Sequence, residues 1–276
     1  YEIGVRLVGS EMCIRDSKFP VKGLSFRSNL GIDSRTVQDY EYFASATTER
    51  QLGNSAASNS VEKYSMITWE NYFTYNRDFN EKHSLGVTLL QSIQQDLKET
   101  LGASVQNTPS DILKYYDLAS GLLIDGVDSD YVKWNMASFM GRINYNYLGR
   151  YLLTVSARYD GSSRLADGHK WVLFPSAALA WRISDESFMK SLSWVDNLKF
   201  RLGYGKTGNS SVDPYQTRGK LGKKRYVYNN GATEIMGYAP SLMANSSLTW
   251  ETTDQWNIGL AFGFLKNRIN GSVELY

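Results

Sequence analysis

The chain is short of most residues that chemistry at a protein site requires. In 276 residues there is one cysteine, Cys13, and there are two histidines, His83 and His169. A single thiol closes no intrachain disulfide and builds no cysteine-rich metal site, so a disulfide scaffold and a zinc-ribbon class are excluded. Proline numbers only 5, and no apolar run approaches the ~18 residues a membrane-spanning helix needs. Charge of one sign is lacking too: 30 Lys+Arg against 28 Asp+Glu leave a net +2, too weak a field to argue for nucleic acid. No GxSxG, HExxH, CxxC or phosphate-loop spacing occurs. Catalytic, cofactor-binding and metal-ligating residues are therefore expected to be absent, and the chain is not expected to be an enzyme. His83 and His169 read as surface polar residues. Asp125, Asp128 and Asp130, with Asp117 nearby, resemble a calcium spacing but lack the glycine and terminal glutamate of an EF-hand, so they read as a solvated acidic loop. Lys223, Lys224 and Arg225 read as a solvated loop as well.

Aromatics are what the chain has in quantity: 13% of residues, with 19 Tyr and 7 Trp. They recur within segments of period-two alternation. Tyr151 to Asp160 sets Leu153, Val155 and Ala157 against Thr154, Ser156 and Arg158. Trp171 to Arg182 and Leu198 to Gly205 follow, the latter with Leu198, Phe200, Leu202 and Tyr204 on one side. Similar patterns run over Lys22–Asp33, Val61–Asn76, Lys82–Gln94, Val132–Tyr147 and Trp250–Phe264, and a last strand starts near Arg268. Alternation of this kind gives a strand one apolar and one polar face. A mean hydropathy of −0.38 fits, since every second residue of a membrane strand faces water.

The connections sort by length. Short links at Asn76–Lys82, Leu148–Arg150, Ser184–Asn197 and Leu265–Asn267 alternate with long ones at Ser34–Ser60, Gln95–Tyr131, Gly161–Lys170 and Lys206–Thr249. Outer-membrane barrels have short turns on one side and long loops on the other. Tyr145, Tyr147, Tyr151, Phe262 and Phe264 cluster beside the short turns, where rings bury an apolar body and keep a polar tip wet. The predicted fold is all-β: an antiparallel meander of about nine strands forming part of a large transmembrane β-barrel. Leu153, Val155 and Ala157 are expected to face lipid, and Thr154, Ser156 and Arg158 the lumen.

Four segments carry a family resemblance: the RYDGSSR turn at Arg158–Arg164, FPSAALAWRIS at Phe174–Ser184, NLKFRLGYGKTGN at Asn197–Asn209, and Leu248–Tyr276, which begins LTWETTDQWNIGLAFGF. From about Tyr64 to its last residue the chain resembles the SusC/RagA branch of the TonB-dependent outer-membrane transporters. The resemblance implies a structural, non-catalytic role for the motif residues Asp160, Gly161, Ser162, Ser163, Arg164, Pro175, Trp181, Gly205, Gly208, Asn209, Trp250 and Glu251. It implies a multi-pass protein of the cell outer membrane, in contact with lipid. It further implies a barrel of ~22 strands, closed by an N-terminal plug that the TonB complex pulls on. A SusD-like lipoprotein would lie over the extracellular loops, and oligosaccharides or peptides would be imported. No plug, TonB-contacting segment or closing strand is recognisable, so residues 18–276 read as a fragment of one barrel domain, with an open sheet. Tyr115 and Tyr116 in one long loop, and Tyr226, Tyr228 and Tyr238 in another, are candidates either for contact with substrate or lid or for packing loops together. A passive porin and a soluble carbohydrate-binding β-protein remain as alternatives.

Residues Tyr1–Ser17 read differently. LVGSEMCIRDS at Leu7–Ser17 resembles a sequencing-library transposase adapter translated in one frame, and Tyr1, Glu2 and Ile3 resemble the adapter upstream of an index. The segment is expected to be an artefact without a packed partner strand, which would leave the genuine chain with no cysteine.

Overall fold

The computed structural model describes residues 3–7, 11–16, 21–47, 54–231 and 233–276, with side chains from residue 21 onward. Its regular elements are strands, joined by turns and four short 3₁₀ segments. The strands are β1 (Ile3–Leu7), β2 (Glu11–Asp16), β3 (Leu24–Phe43), β4 (Ala56–Phe79), β5 (His83–Gln106), β6 (Leu123–Tyr147), β7 (Tyr151–Ser162), β8 (Trp171–Arg182), β9 (Val195–Asn209), β10 (Lys220–Tyr228), β11 (Thr233–Leu242), β12 (Glu251–Phe264) and β13 (Ile269–Leu275).

β3 to β9, β12 and β13 pair each with the next in one antiparallel sheet, while β10 and β11 form a separate hairpin. The sheet is a nine-strand meander with two ends and is not closed. Register is continuous across β6, β7 and β8: Tyr147 faces Tyr151 beside the tight β6–β7 turn, and Tyr151 faces Trp181. The β6–β7 turn is made by Leu148 at φ 55° and Gly149 at φ 72°, consecutive left-handed residues whose twist suits a tight hairpin.

Four expectations need correction. The long connections are shorter than the alternation implied, because β3 to β6 are 20, 24, 24 and 25 residues long. A strand needs only about 9–11 residues to cross the hydrocarbon. Beyond that length both faces are free to be wet, pairing continues, and the apolar alternation that marks a strand in sequence is lost. Asp125, Asp128 and Asp130 therefore lie on β6 and not in a loop, with Asp125 accepting from Gln106 Nε2 at 2.7 Å. Lys223, Lys224 and Arg225 likewise lie on β10. Finally, β1 and β2 both pair with β3, with Ile3 opposite Gln38 and Leu7 opposite Ser34, so the segment before residue 17 does have a partner strand. An exposed strand edge offers unpaired N–H and C=O groups to any extended chain, whatever its sequence. Residues 1, 2, 8–10 and 17 of that segment lie outside the described residues.

The chain divides into two compact units. In one, built mainly from Leu30–Trp69 and Gln94–Asn135, Ala57 and Val105 are buried, and Ser55 and Thr108 share a 2.8 Å hydrogen bond. The other, built mainly from Glu70–Ile93 and Met136–Tyr276, contains a small core of Leu165, Phe174 and Trp250.

Candidate functional site: a two-faced wall and the knot at its end

β7 shows the logic of the sheet residue by residue. From Tyr151 to Tyr159 its odd positions are exposed and its even ones half-buried, and Asp160, Gly161 and Ser162 are buried. The exposed positions include Leu153, Val155 and Ala157. Cross-strand neighbours on that face are equally apolar and equally open: Phe139, Ile143, Leu173, Leu179, Trp256, Ile258 and Leu260 are each at least 40% exposed. A soluble sheet buries such a face against a second layer, because each apolar side chain left in water forfeits roughly 1.5–3 kcal/mol. No such layer exists among the described residues, so this face stays open.

The opposite face is polar, and its groups bond to one another. Thr154 Oγ1 donates to Asn144 Oδ1 at 2.9 Å, and Ser156 and Ser176 share a 2.7 Å bond. Arg158 Nε contacts both Asp160 oxygens, at 2.7 and 3.0 Å, and its Nη2 donates to Ser138 Oγ at 3.1 Å. Side chains on this wall are small where β7, β8 and β9 meet: Ser156, Ser176 and Gly205 fall in register.

The edge beside the short turns is aromatic. Tyr147, Tyr151 and Trp181 stack in a row at 6.2 Å spacings, and the His83 ring lies 4.8 Å from Tyr147. His83 also bonds through Nδ1 to Tyr145 OH at 2.6 Å, so it belongs to this row and is not an isolated surface residue. Glu186, buried in the β8–β9 connection, ties the row down. It accepts from Tyr151 OH at 2.7 Å, Trp181 Nε1 at 3.1 Å and Arg150 Nη1 at 3.3 Å. The Tyr151 hydroxyl, and then Trp181, hold the Glu186 carboxyl below its ordinary range. Nothing in the sequence near Glu186 marks this role; it depends on a turn returning the carboxylate to strands β7 and β8.

At the other end of β7 the motif residues form a knot. Leu165 is 1% exposed and packs with Phe174 and Trp250, whose rings meet edge to face at 5.4 Å. Trp250 Nε1 donates to Lys170 O at 2.8 Å, Ser162 N donates to the same carbonyl at 3.1 Å, and Ala166 N reaches Leu248 O at 3.0 Å. The β7–β8 loop is thereby stitched to the segment entering β12. Gly208 is required here: a Cβ on it would lie 2.1 Å from the Phe174 ring. Gly161 is comparably tight, with a Cβ at 2.5 Å from the Trp171 ring. Gly205 is not explained by crowding, since its nearest Cβ contact is 3.7 Å. Arg164 N donates to Ser162 Oγ at 3.3 Å, Asn209 Nδ2 donates to Glu251 Oε2 at 3.4 Å, and Pro175 faces Ala157 across the ladder. Beside the knot is a cavity of about 240 Å³, with Ser163, Lys170, Thr217, Arg218 and Ser246 among its walls. The sequence marked the motif residues but not Leu165 or Phe174 as their core. An apolar residue directly after a polar DGSSR turn was the available signal.

The tyrosine candidates fall into separate groups. Tyr115 stacks on Tyr40 at 5.0 Å and meets the tilted ring of Tyr116 at 4.5 Å, while Tyr42 bonds Asp111 in the same loop, so these rings at least pack loop against strand. Tyr226, Tyr228 and Tyr238 are on the β10–β11 hairpin, each more than 40% exposed, with Tyr226 over Gly237.

Comparison with known proteins decides the family. The description "TonB dependent receptor-like, beta-barrel" matches residues 17–276. The chain belongs to the TonB-dependent receptor β-barrel family. That family resides in the outer membrane, and the described residues contain no helix long and apolar enough to cross a membrane. The TonB-dependent receptor P39 of Formosa agariphila is 31% identical over 254 residues, covering 92% of this chain and 24% of that protein. The TonB-dependent receptor SusC of Bacteroides thetaiotaomicron is 40% identical over 148 residues, covering 51% of this chain and 14% of SusC. The chain thus spans about a quarter or less of the curated relatives it matches. Among solved structures, the RagAB peptide transporter superposes with a TM-score of 0.86 at 22% identity, covering 99% of this chain and 30% of that one.

Proposed function

We propose that this chain is part of the barrel wall of a TonB-dependent active importer that takes up oligosaccharides or peptides, working with a SusD-like surface lipoprotein. The observation that carries the reading is the two-faced wall of β6–β9 and β12: an open apolar face suited to lipid and a hydrogen-bonded polar face suited to a wet lumen. The family match, the similarity to SusC and the RagAB fold support transport over a merely structural role. The chain's part is non-catalytic. The wall shapes the lumen, the aromatic row beside the short turns fixes its height in the bilayer, and the knot holds the loop side rigid while a plug moves. Energy would enter from TonB through that plug, which the rest of the full-length protein would supply.

The test uses the full-length gene in its host. Growth on an oligosaccharide or peptide mixture should depend on the gene, on TonB and on the adjacent lipoprotein gene. Uptake that persists without TonB would instead identify a passive porin.

A further inference from the structure

We propose that the cavity beside the knot is a subsite for an acidic sugar, taking the carboxylate or sulfate group of a transported oligosaccharide. The proposal rests on the transport reading above and names its substrate class. Three features carry it.

First, the cavity is built on pinned backbone. Its β7–β8 wall is held by the bonds of Lys170 O to Trp250 Nε1 and of Ala166 N to Leu248 O. Its other wall is held by Asn245 N on Gln216 O at 3.2 Å and Arg218 N on Tyr215 O at 3.0 Å. Gly219 follows at φ 70°, where a Cβ would lie 2.9 Å from Leu242 O. Thr217 and Arg218 are therefore placed by a turn that only glycine closes without strain.

Second, the charge is unbalanced toward cation. Lys170 and Arg218 line the cavity against one carboxylate, Asp167. Lys170 Nζ contacts Asp167 at 2.5 Å, but the Asp167 side chain is 89% exposed and serves the rim. One positive charge is in excess, and the Arg218 guanidinium has the planar fork that suits an oxyanion.

Third, three hydroxyls, of Ser163, Thr217 and Ser246, accompany the cations. Hydroxyls that both donate and accept match the hydroxyl-rich ring that carries the charge in an acidic sugar. A peptide carboxylate would use the cations and leave much of that lining unmatched.

The experiment is titration calorimetry on the full-length protein in detergent. The probes are an oligogalacturonate trimer, a sulfated galactan trimer, a neutral galactan trimer and a tri-aspartate peptide. At least one acidic sugar should bind, and which one names the anion. Arg218→Gln should weaken it by about tenfold or more, the scale of losing one charged hydrogen bond, and should weaken the neutral trimer far less. Lys170→Gln should act in the same direction, and Asp167→Asn should strengthen binding severalfold. Arg218 is exposed in a loop, and an unchanged thermal midpoint of the variant confirms folding. The proposal is overturned if the acidic sugars bind no better than the neutral trimer, if Arg218→Gln leaves their binding intact, or if tri-aspartate alone shows the dependence. TonB-dependent uptake by intact cells reports on the transport reading separately: persistent uptake with no acidic-sugar binding sinks this subsite only.

Discussion

The two ends of β7 obey opposite rules. Between Tyr151 and Ala157 the odd-numbered side chains are open and the even-numbered ones, Thr154 and Ser156 among them, are half-buried; a few residues later Asp160 and Ser162 are 6% and 2% exposed, beside a core of Leu165, Phe174 and Trp250. The first region is stabilised by what lies outside the protein, the second by contacts of the chain with itself. In water the first would be a defect, an apolar sheet with no covering layer. In a bilayer it is the solvent-facing surface, because hydrocarbon takes the place of the missing layer. The knot needs no lipid. Its loops carry polar backbone groups that must be satisfied locally, which is why Lys170 O serves two donors there.

Trp250→Ala in the full-length protein tests the knot most severely. It removes a 7%-exposed ring and the bond to Lys170 O, so a loss of about 3–5 kcal/mol is expected from denaturant titration in vesicles. The loss should persist in detergent, since bilayer contact plays no part. A loss well under half that size would mean that the loops are held by something other than this core.

Val155→Arg tests the other end. A charge on the lipid face near the midplane should cost about 2–4 kcal/mol in vesicles, and Thr154→Arg clearly less, because it enters a wet lumen. Equal losses, or the larger one at Thr154, would show the faces reversed.

A smaller effect concerns the aromatic row that Glu186 ties down. The Glu186 carboxyl is held below its ordinary range by Tyr151 and then Trp181. Its contribution to stability is therefore fully present above the usual carboxylate range and lost as pH falls through the depressed value. Midpoints measured from pH 6 to pH 3 should show an acid-side loss that Glu186→Gln flattens; parallel profiles for the two proteins would refute this role of Glu186.

The smallest expected effect is at residues 1–17, which lie outside the comparison of the two ends. We propose that they derive from adapter sequence, in keeping with a family match that begins at residue 17. Pairing of β1 with β3 does not oppose this, because a free strand edge recruits any extended chain. Re-sequencing the locus by a transposase-free method should replace those codons; recovering them unchanged in an independent read would end the idea.

Legibility in the sequence followed the solvent. β8 runs over Trp171–Arg182 as its alternation implied, and β7 and β12 differ from expectation by two residues or fewer. There one face is open and apolar and the other polar and hydrogen-bonded, and that contrast gives period two. β5 continues twelve residues past Gln94, where Leu97 and Leu101 stand among Gln95, Asp96, Lys98, Glu99 and Thr100 and no solvent boundary sorts them. The β10–β11 hairpin was missed for the same reason, although Asn229-Asn230-Gly231 is a turn signal of the kind tight hairpins use. At the site, the motif residues were visible as a resemblance, while Glu186, Leu165 and Arg218 were not.

By itself the sequence determined the class of fold, the order and direction of the strands, and which residues of β7 share the open apolar face. Those follow from period-two patterning and alternating link lengths, which are local properties of the chain. Only the tertiary structure decided that Phe174 needs Gly208, that Glu186 returns to Tyr151 and Trp181, and that Lys170 and Arg218 share a cavity. Each of those joins residues from five to almost fifty positions apart, and the register of strands and the path of loops, not any local pattern, bring them together.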